Sequence, residues 1–427
     1  MRVLLLAVGS QGDVRPLVAL AERLQRDGHE PTVAAPPLFR PLAIAAGVPF
    51  AALDVGMMAL AATMSDSHGP LHFARLARSL GGLAGEAITS AWAVARNSGA
   101  DVVVHHPVLP LGQHLAERLG VPAVIATPLP ALTPTALFAA PVWSNTVRLP
   151  ASVNRASYRM ASLQAGLWAR GAIDRWRSTS PELPRRPGRH DPTRCPSDSA
   201  TVPVLHGFSP RVLPRPADWP DTAHVTGYWN LATRANWTPP RKLAAFLDDG
   251  EPPVYIGFGS MPIREPGGLG ALVERTMSRL GRRAIVASGY HGLRGMASTD
   301  DMLMLRHVPH DWLFPRVAAV VHHGGAGTTG AAASAGRPQV ICPVGTDQPF
   351  WADRMHGLGV SARAPRLRSL TGPSLERALS EVLEDEELRR RARKLGRHLR
   401  AEDGTGRAVR LLTQIVARPD RKESPQP

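Results

Sequence analysis

The residues best suited to bind a ligand lie at positions 320–329, which read Val-Val-His-His-Gly-Gly-Ala-Gly-Thr-Thr. The apolar run that ends at Val321 predicts a buried strand, and the small residues from Gly330 to Ala335 predict a helix. A glycine-rich loop at a helix N-terminus presents unpaired N–H groups and the positive end of the helix dipole. The glycines permit close backbone approach, while threonine hydroxyls and a histidine can donate to, or charge-balance, phosphate oxygens. The pattern predicts a site for a phosphorylated anion.

This loop is compatible with two kinds of ligand. Residues 325–330 read Gly-Ala-Gly-Thr-Thr-Gly, which is the G-x-G-x-x-G pattern of dinucleotide-binding folds. Asp347 follows about twenty residues later, where such a fold places the acid that binds ribose. A nicotinamide coenzyme and a nucleotide sugar both contain a diphosphate. The loop alone leaves both open.

Two carboxylates at predicted strand ends are candidates for chemistry. Asp13 follows the first apolar strand in a glycine-flanked loop and could act as a general base, although a helix-capping aspartate would occupy the same position. Asp347 precedes Gln348 after another predicted strand. A carboxylate beside an amide can bind vicinal sugar hydroxyls, and a capped turn is the structural alternative.

Histidine pairs follow two of the predicted strands. His323 adjoins the glycine-rich loop, so we expect it to contact the ligand rather than serve packing alone. His105 and His106 have no glycines beside them and are at most candidates for an acceptor-side contact. Neighbouring side chains on an extended chain point to opposite faces, so we expect no metal site at either pair.

The order of elements predicts where these residues meet. Apolar runs alternate with helical patterns through both halves of the chain, which is typical of doubly wound parallel sheets that bind ligands at the carboxyl ends of their strands. Two such domains would form a cleft between the Gly9–Asp13 loop and the histidine–glycine loop. The runs interpreted as strands are 2–8, 31–35, 101–104, 122–126 and 202–205, then 253–260, 283–287, 302–305, 318–321 and 339–342.

A chain of 427 residues exceeds what one hydrophobic core usually supports, so two domains are expected. We predict an N-terminal acceptor-binding domain over residues 1–215 and a C-terminal donor-binding domain over residues 216–403. A helix over residues 404–417 is expected to pack back toward the first domain, followed by a disordered tail. Residues 178–201, rich in Pro, Arg and Ser, are expected to form a flexible loop.

Composition restricts the class of protein. The formal charge is +15, but the arginines are scattered and aromatic residues make up only 5%, so we expect no nucleic-acid partner. Two cysteines, Cys195 and Cys342, support neither a disulfide framework nor a cysteine-based zinc site. The N-terminal apolar run is too short for a signal peptide, and prolines interrupt the uncharged stretch 120–143. These features predict a soluble, cytoplasmic protein.

The motifs together resemble a known family. In order and spacing, four segments look like the C-terminal donor motif of the family 1 nucleotide-sugar glycosyltransferases. The opening Gly9–Leu17 segment resembles the sterol and vancomycin-group branch of that family. The resemblance implies a GT-B fold, in which two Rossmann-like domains with doubly wound parallel sheets face each other across a cleft. The four segments are 307–314, 322–329, 336–339 and 343–352.

The resemblance also implies roles for individual residues. Val308 would hold the pyrimidine through its backbone, and Asp347 with Gln348 would bind hydroxyls of the donor sugar. Asp13 would be the general base of an inverting transfer, at a position where many family members have histidine. The residues implied at the donor diphosphate are His323, Gly324, Gly325, Gly327 and Thr328, with help from Ser260 and Ser10.

The expected activity is therefore transfer of a sugar from UDP or dTDP to a hydroxyl of a small, lipophilic natural product, without a metal or other cofactor. A nucleotide-sugar epimerase, an NAD-dependent oxidoreductase and a non-enzymatic activator of another transferase are the alternatives. Apolar and methionine-rich loops over 57–70 and 133–153 favour a lipophilic acceptor, although core packing explains them equally well. The acceptor, the donor sugar and the choice between monomer and homodimer stay open.

Overall fold

The chain forms two parallel β-sheets flanked by helices. The computed structural model describes residues 1–54, 84–107, 111–141, 149–183, 191–196, 199–234, 236–259, 266–288, 297–363 and 366–417. Among the helices in these ranges, none is both long and apolar enough to cross a bilayer.

The first sheet has seven strands in the order β3-β2-β1-β4-β5-β6-β7, and all its pairs are parallel. β1 lies between β2 and β4 in the interior of this sheet, and its side chains alternate between two hydrophobic cores. Val3 and Leu5 pack with α1 on one face, whereas Leu4 and Leu6 pack on the other. Its strands are β1 (Arg2–Leu6), β2 (Glu30–Ala35), β3 (Phe50–Ala52), β4 (Val102–His105), β5 (Ala123–Thr127), β6 (Val204–His206) and β7 (Ala223–Val225).

The second sheet has six strands in the order β10-β9-β8-β11-β12-β13, again all parallel. Its two central strands, β8 and β11, are buried along their length because helices cover both faces of the sheet. The strands are β8 (Val254–Gly257), β9 (Ala284–Ala287), β10 (Met302–Leu305), β11 (Ala319–His322), β12 (Gln339–Ile341) and β13 (Ser361–Ala362).

Helices connect the strands and cover both sheets. Those with described bounds are α1 (Gln11–Arg26), α2 (Arg40–Ala46), α3 (Gly112–Leu119), α4 (Ala151–Ser178), α5 (Arg241–Asp248), α6 (Pro266–Leu280), α7 (His310–Leu313), α8 (Ala326–Ser334), α9 (Gln348–Gly357), α10 (Gly372–Glu384), α11 (Glu386–Arg400) and α12 (Gly404–Ala417). The predicted pair of Rossmann-like, doubly wound parallel sheets is confirmed.

The C-terminal helix α12 packs against the first sheet. Val409 and Leu412 are buried in the same core as β1 and α1. Arg23 of α1 forms an ion pair with Asp403, with 2.5 Å between Nη1 and Oδ1. The chain therefore crosses between the sheets twice, once after β7 and once before α12.

These two crossings touch at a pair of glycines. Gly227 adopts φ +112°, and a Cβ built on it would lie 3.0 Å from the Cα of Gly404. Neither position can carry a side chain without displacing the other crossing. An aromatic cluster joins the two halves nearby, with 5.8 Å between the ring centroids of Phe208 and Trp351.

The structure also contains elements that the sequence analysis did not predict. No sequence pattern indicates the short strands β3 and β13. The long helix α4 is also unexpected, because its small and polar residues give no clear apolar stripe. β7 lies beyond the boundary predicted at residue 215, so the first sheet continues past that boundary. Residues 57–70 and the C-terminal tail after residue 417 lie outside the described residues.

Candidate active site

The first half of the site is the junction between β1 and α1. Gly9 adopts φ +132°, and a Cβ at this position would collide with the carboxylate of Asp13. Ser10 is the N-cap of α1, and its Oγ accepts a hydrogen bond from the N–H of Gly12 at 3.2 Å. Because the helix begins at Gln11, Asp13 lies in the first turn of α1 rather than in the loop that the sequence analysis predicted.

Asp13 belongs to the capping box of α1 and is also partly exposed. Its Oδ2 accepts hydrogen bonds from the backbone N–H of Ser10 at 2.7 Å and from the Ser10 hydroxyl at 2.9 Å. The side chain is 24% exposed, and its Oδ1 lies 3.4 Å from Nε2 of His106. The capping alternative and the catalytic one are therefore compatible. The predicted diphosphate contact from Ser10 would have to come from a hydroxyl already engaged in this cap.

The second half of the site is the junction between β11 and α8. His322 is fully buried, and burial lowers its pKa to about 3. Its Nδ1 accepts from the N–H of Gly324 at 3.0 Å, so its Nε2 donates to the amide oxygen of Gln339 at 2.8 Å. This neutral histidine fixes the turn in which Gly324 adopts φ +96°. His322 is thus a structural residue, unlike its neighbour His323.

His323 lies between two glycines from different strand ends. A Cβ on Gly259 would lie 2.7 Å from Cε1 of His323, and a Cβ on Gly325 would lie 2.7 Å from Nε2 of the same ring. Burial lowers the pKa of His323 to about 4, so the ring is neutral at pH 7. Its Nδ1 is buried and has no hydrogen-bond partner among the described residues. The side chain can therefore donate an N–H to a ligand, but it cannot balance the charge of a phosphate. Ser260 lies outside the described residues.

The N-termini of α1 and α8 face each other. Gly325 is the N-cap of α8, so Gly327 and Thr328 belong to its first turn rather than to a loop. A Cβ on Gly327 would lie 3.9 Å from the Cα of Gly12 in α1. The positive ends of two helix dipoles therefore meet in the cleft, where they favour an anion.

Asp347 and Gln348 begin α9 beside these two helix ends. Asp347 Oδ1 accepts from the hydroxyl of Thr346 at 3.0 Å. Burial raises the pKa of Asp347 to about 6, and the negative charge of Asp13 adds to this rise. The Gln348 oxygen accepts from the N–H groups of Val344 at 2.8 Å and Gly345 at 3.3 Å. Its NH2 group is then the part that can reach a sugar hydroxyl.

Val308, the residue predicted at the nucleobase, is buried in the segment between β10 and α7. Arg15 of α1 extends toward the same segment, and its Nη2 donates to the carbonyl of Leu231 at 3.1 Å. Burial lowers the pKa of His307, and the charge on Arg15 lowers it further. Arg15 cannot be singled out from the sequence, because nothing in its type or spacing distinguishes it among the 50 Lys and Arg residues.

Comparison with family models matches both halves of the chain. Residues 3–137 match the glycosyltransferase family 28 N-terminal domain. Residues 283–411 match the erythromycin biosynthesis protein CIII-like C-terminal domain.

Curated relatives include sterol 3-beta-glucosyltransferases. The one from Emericella nidulans is 33% identical over 430 residues, which cover 96% of this chain and 30% of that protein. The one from Arabidopsis thaliana is 32% identical over 422 residues, which cover 96% of this chain and 65% of that protein. The chain thus spans between about a third and two thirds of the length of these relatives.

Solved structures share the fold over nearly the whole chain. The glycotransferase of kitacinnamycin matches with a TM-score of 0.70 and 18% identity, covering 97% of this chain and 98% of that one. The glycosyltransferase SsfS6 of Streptomyces sp. SF2575, complexed with thymidine diphosphate, has a TM-score of 0.63 and 22% identity, covering 97% and 99%. The spinosyn rhamnosyltransferase SpnG, complexed with spinosyn aglycone, has a TM-score of 0.66 and 19% identity, and the match covers 97% of this chain and 100% of that one.

Proposed function

Because the chain belongs to the family 1 glycosyltransferases and has their GT-B fold, we propose that it transfers a sugar from a UDP or dTDP donor to a hydroxyl of a small, lipophilic acceptor. The transfer inverts the anomeric centre, with Asp13 as the general base. The observation that carries this proposal is the meeting of two helix N-termini, with Asp13 in the first turn of one of these helices and Asp347 at the start of α9.

The paired helix ends suit a leaving diphosphate. Negative charge grows on the diphosphate as the bond to the anomeric carbon breaks, and fixed N–H dipoles at both helix ends stabilise that charge. His323 adds a neutral N–H donor from the loop before α8. These groups can supply the stabilisation that a metal ion provides in other transferases, so we propose that none is required.

The two carboxylates have different roles, one in binding the donor sugar and the other in proton transfer. Asp347 accepts hydrogen bonds from hydroxyls of the donor sugar, and the NH2 group of Gln348 donates to them. Asp13 takes the proton of the acceptor hydroxyl while that oxygen bonds to the anomeric carbon and the carbon–phosphate-oxygen bond breaks. General base catalysis of this kind contributes about 10²–10⁴-fold in rate.

The relatives support the chemical class of both substrates. Sterol glucosyltransferases act on a lipophilic hydroxyl, and two of the similar structures contain thymidine diphosphate or a spinosyn aglycone. In this chain Phe138, which follows β5, packs against Phe350 of α9 on the donor side, with 5.2 Å between the ring centroids. An apolar acceptor held by Phe138 would lie close to Asp347.

The two alternative enzymes, an NAD-dependent oxidoreductase and a nucleotide-sugar epimerase, are less well supported. In a nicotinamide-binding domain the glycine fingerprint follows the first strand, whereas here it follows β11 and not β8. Its third glycine, Gly330, serves packing, because a Cβ there would lie 2.6 Å from the ring of Tyr228. An epimerase would need no acceptor pocket, and the two curated relatives named above are glucosyltransferases.

The proposal is tested by incubating the protein with a panel of UDP- and dTDP-sugars and sterol or polyketide acceptors while measuring nucleotide diphosphate release. Release that depends on the acceptor is the expected result. Asp13→Asn should lower kcat by about 10²–10⁴-fold without changing the donor KM. Asp27→Asn, at the opposite end of α1, is the matched control. Full turnover by Asp13→Asn, epimerised donor or NADH oxidation would overturn the proposal.

A further inference from the structure

His106 lies directly behind the proposed catalytic base. It follows β4, which pairs with β1 in the first sheet, and its backbone N–H donates to the carbonyl of Leu6 at 3.0 Å. Its side chain is 3% exposed, compared with 24% for Asp13. The histidine is thus closed off from solvent, and the carboxylate lies between it and the cleft.

The two oxygens of Asp13 face different parts of the chain. Oδ2 is held by the N–H and hydroxyl of Ser10, as described above, whereas Oδ1 lies 3.4 Å from Nε2 of His106. Gly9 leaves just enough room for this carboxylate, since a Cβ would overlap it. The Ser10 contacts are hydrogen bonds, whereas the 3.4 Å approach of His106 is longer than one. The helix cap thus holds one oxygen of the carboxylate, and His106 lies against the other.

The charge state of His106 suits a hydrogen-bond donor. Burial lowers its pKa, and the charge on Asp13 only partly opposes this effect. A neutral imidazole with its proton on Nε2 can donate to Oδ1 without neutralising the carboxylate. Such a donor does not compete for the proton that Asp13 must accept.

We propose that His106 is a positioning residue that orients the Asp13 carboxylate toward the acceptor hydroxyl, and that the 3.4 Å approach of its Nε2 to Oδ1 shortens to a hydrogen bond when the acceptor is bound. This proposal rests on the function proposed above. The contact with Ser10 alone leaves the carboxylate free to turn about the bond to its Cβ, and misplacement of a catalytic group by about 1 Å can cost 10²-fold in rate. The effect belongs to kcat, because His106 itself lies out of reach of the donor site.

The neighbouring His105 provides a matched control. It is also fully buried, but it points to the opposite face of the sheet, where its ring packs against Gly112 so closely that a Cβ there would overlap it. His105 is therefore as buried as His106 and lies next to it at the end of β4, but its side chain is on the opposite face of the sheet from Asp13.

The experiment compares His106→Leu with His106→Gln, because the Gln amide can donate from nearly the position of Nε2 and Leu cannot. We expect His106→Leu to lower kcat by about 10- to 100-fold with an unchanged donor KM, and His106→Gln to restore most of it. In an Asp13→Asn background, His106→Leu should cause no further loss. His105→Gln should leave kcat unchanged.

Three outcomes would overturn the inference: equal kcat losses for the Leu and Gln variants, no loss for Leu, or a full loss that persists in the Asp13→Asn background. If His106→Leu fails to fold, as judged by circular dichroism, His106→Asn replaces it, because the shorter amide does not reach Oδ1. If Asp13→Asn itself retains full activity, the proposed function fails and the role of His106 fails with it, whereas failure in the His106 variants alone leaves the proposed function standing.

Discussion

Asp347 makes the proposed donor site sensitive to pH. Its pKa is raised to about 6, so below that pH it is protonated and no longer accepts hydrogen bonds from sugar hydroxyls as a charged group. We expect kcat/KM for the donor to rise about tenfold per pH unit below pH 6 and to level off above it. Initial rates measured between pH 4.5 and pH 8 would show this rise, which is the acidic limb of the pH profile.

Asp347→Asn is the control for that profile, and Asp353→Asn, at an exposed position of the same helix, is its matched partner. The acidic limb should disappear in the first variant, at a lower plateau, and persist in the second. An acidic limb of unchanged midpoint in Asp347→Asn would show that another group governs it.

His323 is expected to act as a neutral donor. Because its pKa lies near 4, its contribution to donor binding should not change between pH 6 and pH 8. His323→Phe keeps the ring but removes the N–H, and a hydrogen bond to a charged group contributes about 1.5–3 kcal/mol. Calorimetry with the nucleotide diphosphate should therefore show affinity weakened by about 10- to 100-fold. Unchanged affinity would remove His323 from the diphosphate site.

Helix α8 carries two glycines with opposite expected roles. Gly327 is exposed in the first turn, so Gly327→Ala should raise the free energy of unfolding by about 0.4–1 kcal/mol, while its methyl group obstructs the donor. Gly330→Ala should destabilise the protein, because its Cβ meets Tyr228.

Urea unfolding and donor KM, measured on both variants, test this pair. The expected result for Gly327→Ala is a higher midpoint together with a higher KM. A stabilised variant with normal KM would mean that the donor does not approach the first turn of α8.

The elements of the fold could be predicted where their apolar runs are continuous. β1 and β11 are such runs, and the glycines after them mark the two strand–helix junctions of the site. β7 could not be predicted, because three residues next to a Pro- and Trp-rich segment give no periodic signal, and pairing with β6 decides its conformation. The contact between His106 and Asp13 depends on β4 lying beside β1, which no local pattern indicates.

At the scale of the molecule, α12 is part of the first domain's core although it follows the second domain in sequence. Leu412 is fully buried against that core, so Leu412→Ala should lower the free energy of unfolding by about 2–5 kcal/mol. Gln414→Ala, at an exposed position of the same helix, is the control.

Tryptic cleavage during mild denaturation shows which domain is affected. Sites in the first domain should open earlier in Leu412→Ala than in Gln414→Ala. Earlier opening confined to the second domain would contradict the packing of α12 on the first sheet.

The contact of Gly227 with Gly404 brings both crossings of the chain to one point, where the aromatic cluster of Phe208 and Trp351 also joins the two halves. A rotation of one sheet against the other that kept this contact intact would have to pivot about it, because neither glycine has room to approach the other. The relative orientation of the N-termini of α1 and α8 is therefore tied to the backbone at two residues far from both in sequence.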